Sequence, residues 1–177
     1  AEASHEETLE AYDVLIRAGK VRAIGASNYT TQMMEDAQQT AVIKSLQRYE
    51  VTQPRYNLYD RAEFDDLRDY LVENEVGSIV YYSLASGFLT GKYRNEKDLG
   101  QSARGGGVGR YLDDKGLRIL AALDDVAAEV NATPAEVALA WLVAQKGVSP
   151  RAVAAASRQW PGTPILSVMS APEEGQI

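Results

Sequence analysis

Three short clusters hold the residues of this 177-residue chain whose types and spacing could do chemistry. Ser27-Asn28 follows one brief apolar run, Gln53 follows a second, and Tyr81-Tyr82-Ser83 closes a third. The third run, Ile79-Val80-Tyr81, has the β-branched and aromatic residues of a buried strand. It opens into Ser83-Leu84-Ala85-Ser86-Gly87, small residues whose backbone can approach a ligand closely. Lys92 and Arg94 lie a few residues further on. A buried strand that opens into a small-residue loop backed by cations suits a phosphate-bearing ligand. An ordinary βα turn with surface cations uses the same residues, and locally that is the commoner occurrence. Convergence of three uncharged polar or aromatic clusters on one rim is the more specific signal.

That rim requires a parallel sheet, and the rest of the pattern predicts one. A helix is expected from Glu6 to Ala18, with Ser4 and Glu7 at capping-box spacing and Leu9, Tyr12 and Ile16 on one face. A strand follows at Val21 to Ala26. A second helix carries Met34, Ala37 and Ala41, and a second strand runs from Tyr49 to Thr52. Asp60 and Glu63 repeat the capping spacing ahead of a third helix with Phe64, Leu67 and Leu71 inward, closed by Gly77. The third strand is then reached. Helix and strand alternate throughout, which implies a parallel sheet covered by helices. In such sheets functional groups gather at the carboxyl ends of the strands.

Beyond this, Asn95 to Arg110 reads as a mobile surface loop. Its Gly105-Gly106-Gly107-Val108-Gly109 run follows no strand and opens no helix, so it is not read as a nucleotide motif. Leu117 to Val130 is helical by period. Thr133-Pro134-Ala135-Glu136 is a strong helix start, ended by Gly147. After Ser149 the pattern weakens. Ala152 to Ala156 and Thr163 to Val168 could be strands, joined by a turn at Trp160-Pro161-Gly162.

Composition limits the functions open to the chain. Apolar residues make up 45% and charged residues 24%, as in a soluble globular domain. The net charge of -7 argues against nucleic acid as a main partner. No apolar run reaches the ~20 residues of a membrane span. The chain contains no cysteine and a single histidine, His5, so thiolate chemistry and multi-histidine metal sites are excluded. His5 is expected to be solvated and without a catalytic role. No secretion signal opens the sequence, and the expected location is cytoplasmic.

Four segments together resemble the C-terminal half of an aldo-keto reductase. They are Gly19-Lys20-Val21-Arg22-Ala23-Ile24-Gly25-Ala26-Ser27-Asn28, Gln53-Pro54-Arg55-Tyr56-Asn57, Tyr81 to Lys92, and Thr133 to Trp141. Their order and spacing also match, over about Glu6 to Gly147. The similarity is to the long-chain bacterial branch related to the potassium-channel β-subunits.

The resemblance implies an α/β fold, a partial (β/α)8 TIM barrel. The chain would supply strands five to seven or eight with their helices as one domain, 1–177, in which 148–177 is a divergent tail. It implies NADPH as cofactor and a small-molecule carbonyl substrate reduced by hydride transfer. By position, Ser27 and Asn28 match the pair that binds the nicotinamide carboxamide, with Gln53 beside them. Tyr81 matches the tyrosine stacked on the nicotinamide. Tyr82, Ser83, Leu84, Ser86, Gly87, Leu89 and Lys92 match the loop around the pyrophosphate. The residue types agree: amides suit a carboxamide, an aromatic face suits a flat ring, and small residues with a cation suit phosphates.

The family's catalytic tyrosine, aspartate, lysine and histidine belong to the first half of the barrel, so no catalytic residue is assigned among these residues. A whole barrel takes about 250 residues, with a floor near 200. Three readings follow: a reductase of which this is the cofactor-binding half, a non-catalytic nucleotide-binding or association module, and an inactive piece of a longer protein. Open parallel edges predict pairing, either with a second copy or with the missing N-terminal half.

Overall fold

The structure, a computed structural model, describes residues 3–102 and 105–149. Local chemistry sets its helix starts. In α1 (His5–Arg17) the Ser4 hydroxyl accepts the Glu7 amide at 3.2 Å, and the Glu7 carboxylate accepts the Ser4 amide at 2.8 Å. The same reciprocal pair, Thr133 and Glu136, opens α5 (Pro134–Val143) with proline at its first position. Caps of this kind stabilise a helix by about 1 kcal/mol. α2 (Thr31–Lys44) is capped by Thr30 and α4 (Asp114–Glu129) by Asp113.

Between these lie β1 (Ile24–Ser27), β2 (Tyr49–Gln53) and β3 (Gly77–Ser78), which form one parallel sheet in the order β1-β2-β3. α2 connects the first pair and α3 (Ala62–Glu73) the second. Ala26 is in register with Thr52, and Ser27 with Gln53. After α5 the chain returns to β3: Val148 bridges Ser78 in parallel, and the Ser78 hydroxyl donates to the Gly147 carbonyl at 2.5 Å.

One face of the sheet carries Ala26, Thr52, Ser78 and Val80, all buried. There α1, α2 and α3 contribute Leu9, Met34, Ala37, Phe64, Leu67 and Leu71, and α5 adds Leu139 and Leu142. Gly25, Ser27, Gln53, Gly77 and Ile79 are exposed on the opposite face. A second core lies past the sheet, around Phe88, Leu89, Tyr93, Val108, Tyr111, Leu120 and Leu123. Leu84 packs against both cores.

Four expectations need correction. α3 begins after Arg61 with no side-chain cap, because the Asp60 carboxylate accepts from Asn57, Tyr111 and Arg110 instead. α3 also stops well before Gly77, which belongs to β3; Glu75 takes the left-handed conformation there. The third strand is shorter and earlier than Ile79-Val80-Tyr81, and Tyr81 joins the sheet by a single bridge to Arg55. The described part of Asn95 to Arg110 is not a plain loop. It forms 3-10 turns at Glu96–Gln101 and Gly105–Gly107, and buries Val108 completely. The segments expected as strands at 152–156 and 163–168 lie outside the described residues.

Candidate cofactor site at the strand ends

β1 and β2 end together, which brings the first polar clusters into contact. The Ser27 hydroxyl donates to the Gln53 carbonyl at 3.0 Å, and the Asn28 amide N–H reaches the same carbonyl at 3.4 Å. Asn28 then turns out of the strand with φ 57°, a left-handed conformation that asparagine tolerates better than most residues. Its side chain is thereby aimed across the sheet ends. The Tyr81 hydroxyl donates to Asn28 Oδ1 at 2.8 Å. The structure therefore brings Ser27, Asn28, Gln53 and Tyr81 onto one rim. Among the described residues the side-chain nitrogens Asn28 Nδ2 and Gln53 Nε2 have no hydrogen-bonding protein partner. That leaves donors and an acceptor beside a half-exposed aromatic ring.

The backbone after Tyr81 is bent far from extended. Tyr82 (φ 58°), Ala85 (φ 49°), Ser86 (φ 58°) and Gly87 (φ 97°) are all left-handed. For a residue with a Cβ this conformation costs about 1–2 kcal/mol, so the surroundings must hold it. The Tyr82 carbonyl accepts from the Ala85 N–H at 2.8 Å and from Asn57 Nδ2 at 3.0 Å. The Leu84 carbonyl accepts from the Gly87 N–H at 2.9 Å and the Leu89 N–H at 3.2 Å. Ala85, Phe88 and Leu89 are wholly buried beneath. Strain held in place by packing is a recurrent feature of binding loops.

Lys92 crosses the outer face of this loop. A Cβ on Gly87 would lie 3.4 Å from Lys92 Cε and 3.6 Å from Nζ. Gly87 is itself buried under the Lys92 side chain, whose ammonium lies 4.9 Å from the Tyr93 ring centroid on an exposed residue, so the loop presents a cation that suits an anionic group. Ser83 and Ser86 are half-buried in the loop and Tyr82 is 51% exposed. Leu89, which the resemblance puts in the loop around the pyrophosphate, has its side chain inside the second core, and its N–H already serves Leu84. It seats the loop. Arg94 is not a second loop cation either. Its guanidinium binds both oxygens of Asp124 at 2.7 Å, and this pair holds the Asp124 carboxyl below its usual range.

Sequence reasoning missed the residues beneath the loop. Asn57, Asp60, Tyr111 and Arg110 form a hydrogen-bonded group, with the Tyr111 hydroxyl 2.9 Å from Asp60 Oδ2. Only the Tyr56-Asn57 pair of the quoted motif pointed here. His5 occupies the first position of α1, with its ring 5.7 Å from that of Tyr29. Among the described residues no group of three or more histidines, cysteines, aspartates or glutamates could hold a metal. No described helix is long and apolar enough to cross a membrane.

The sequence matches the model of the aldo/keto reductase family over residues 2–171. The chain belongs to the aldo/keto reductase family. L-glyceraldehyde 3-phosphate reductase of Escherichia coli K12 is 33% identical over 78% of this chain and 42% of its own length. An aldo-keto reductase of Schizosaccharomyces pombe, yakc [NADP(+)], is 28% identical over 79% of this chain and 41% of its own. A probable voltage-gated potassium channel β subunit of Arabidopsis thaliana is 29% identical over 81% and 46%. The chain thus spans under half the length of these relatives. A solved glycerol dehydrogenase from Gluconobacter oxydans superimposes with a TM-score of 0.69 at 19% identity, over 99% of this chain and 57% of that one. That likeness bears on the fold alone: an α/β fold like that of an aldo-keto reductase, of which the three-stranded parallel sheet is consistent with a part.

Proposed function

We propose that this chain is the cofactor-binding half of an NADPH-dependent aldo-keto reductase, carrying strands five to seven and the start of strand eight at Val148. Asn28, Ser27 and Gln53 would hold the nicotinamide carboxamide. The Tyr81 ring would lie against the nicotinamide, and Tyr82 to Gly87 with Lys92 would hold the pyrophosphate. Bound there, NADPH supplies a hydride to an aldehyde or ketone. The chain's own residues orient that ring and balance the phosphate charge. The acid–base groups would come from the remainder of the barrel. One observation carries the reading: the 2.8 Å bond from the Tyr81 hydroxyl to Asn28, which ties the first and third clusters into one site.

Titration of the chain with NADPH, followed by nucleotide fluorescence, tests this. Saturable binding that Lys92→Met weakens about tenfold, as expected for one desolvated phosphate contact, supports it. The absence of saturable binding overturns it. The alternative, a non-catalytic association module, draws on the exposed sheet face at Gly25, Gln53 and Ile79. Parallel sheets are ordinarily covered on both faces. Mass by light scattering separates the readings: a dimer that binds no nucleotide favours association.

A further inference from the structure

We propose that Asn57 is a positioning residue for the loop that would hold the cofactor, a role that rests on the cofactor reading above. Asn57 is fully buried, with 0% exposure, and all four of its side-chain hydrogen-bonding positions are used. Its Oδ1 accepts the N–H groups of Tyr59 and Asp60, both at 2.8 Å, and so closes the turn at 57–60. Its Nδ2 donates one hydrogen to Asp60 Oδ2 at 3.1 Å and the other to the Tyr82 carbonyl at 3.0 Å. The last bond differs in kind from the others. It leaves the local turn, crosses 25 positions of sequence, and ends on the first left-handed residue of the loop.

The geometry explains why an amide is needed. The Tyr82 carbonyl and the Asp60 carboxylate are both acceptors, and only a group with two donors can lie between them. The same side chain must also present an acceptor to two backbone amides. Asparagine meets all of these at once. Tyr82 is adjacent to Tyr81, so fixing its carbonyl sets where the loop leaves the strand end. A loop shaped before binding loses less freedom when a ligand arrives.

Two variants separate loop positioning from turn closure. Asn57→Asp keeps the acceptor for Tyr59 and Asp60 but turns an oxygen toward the Tyr82 carbonyl. Adding Asp60→Asn returns a donor–acceptor pair to the turn, weakens the acceptor that Tyr111 and Arg110 use at Asp60, and leaves the Tyr82 carbonyl without its partner. Amide hydrogen exchange on the ligand-free full chain reads the loop directly at Ala85, Gly87 and Leu89, with α2 as reference. The expected result is exchange at least about tenfold faster at these three amides in both variants, with α2 unchanged. Loop protection equal to the parent chain in either variant overturns the proposal.

NADPH titration is the second arm. About tenfold weaker binding by both variants is expected. Equal binding by the parent and both variants, despite faster loop exchange, overturns the positioning role. Failure of the parent chain itself to bind overturns the cofactor reading, and the exchange data still decide whether Asn57 holds the loop.

Discussion

One methyl group at position 25 is a demanding test of the sheet that underlies the candidate site. Gly25 faces Val51 across the β1–β2 ladder, just after an irregularity in register. A Cβ at Gly25 would lie 2.5 Å from Val51 Cγ2 and 2.9 Å from the Val51 carbonyl oxygen. Carbon atoms normally pack at about 3.5–4.0 Å, so Gly25→Ala forces the strands apart or breaks the ladder. Overpacking of this kind costs about 1–3 kcal/mol. One of the two obstacles is backbone and cannot rotate away, which points to about 2–3 kcal/mol. In a domain of this size that is a fall in melting temperature of roughly 5–10 °C. Val51→Ala removes the methyl but not the carbonyl. The double variant should therefore recover about half the loss, with a coupling of about 1 kcal/mol. Urea unfolding of the parent, both single variants and the double variant, at constant m-value, measures all of these. Gly25→Ala within about 0.5 kcal/mol of the parent, or strict additivity with Val51→Ala, would refute the reasoning.

Tyr81→Phe deletes the hydroxyl that meets Asn28. It should cost about 0.5–1 kcal/mol of stability and weaken NADPH binding about 3- to 10-fold; fluorescence titration showing undiminished affinity would end the orienting role of that bond. At high pH the buried phenols should govern stability. Burial, and then the nearby Asp65 carboxylate, push Tyr56 up to about 12. The hydrogen bond to Asp113, and then burial, push Tyr59 up to about 12. Burial raises Tyr49 as well. Each holds its proton more firmly folded than unfolded, so its contribution to stability is whole below about pH 10 and is lost as pH climbs toward 12. Tyrosinate absorbance followed beside circular dichroism should show part of the ten tyrosines ionising only with loss of helix. Reversible ionisation of all ten near pH 10, with the helices intact, would contradict this.

The helix starts were legible because short-range chemistry sets them. Ser4 with Glu7 and Thr133 with Glu136 act within one turn, and both caps form as their spacing implies. Asp60 and Glu63 have similar spacing, yet Asp60 is drawn to Tyr111, 51 positions away, which no local window can register. The same limit hid the role of Asn57. The third strand was misplaced for another reason: Val80 is buried and Ile79 exposed, so the apolar run reflects one covered face rather than a strand enclosed on both sides. Leu89 falls in the pyrophosphate loop by resemblance, which carries no information on which way a side chain faces. Its burial depends on Phe88, Leu120 and Leu123 closing beneath it.

Leu84 belongs to two hydrophobic masses at once, one under the sheet and one under the loop. A residue shared in this way makes the proposed binding loop the first place to register disorder in either mass. On heating, grip on a nucleotide should fade while circular dichroism still reports intact helices. Substitutions deep in α4, far from the strand ends, would then appear as heat-sensitive affinity before they appear as misfolding.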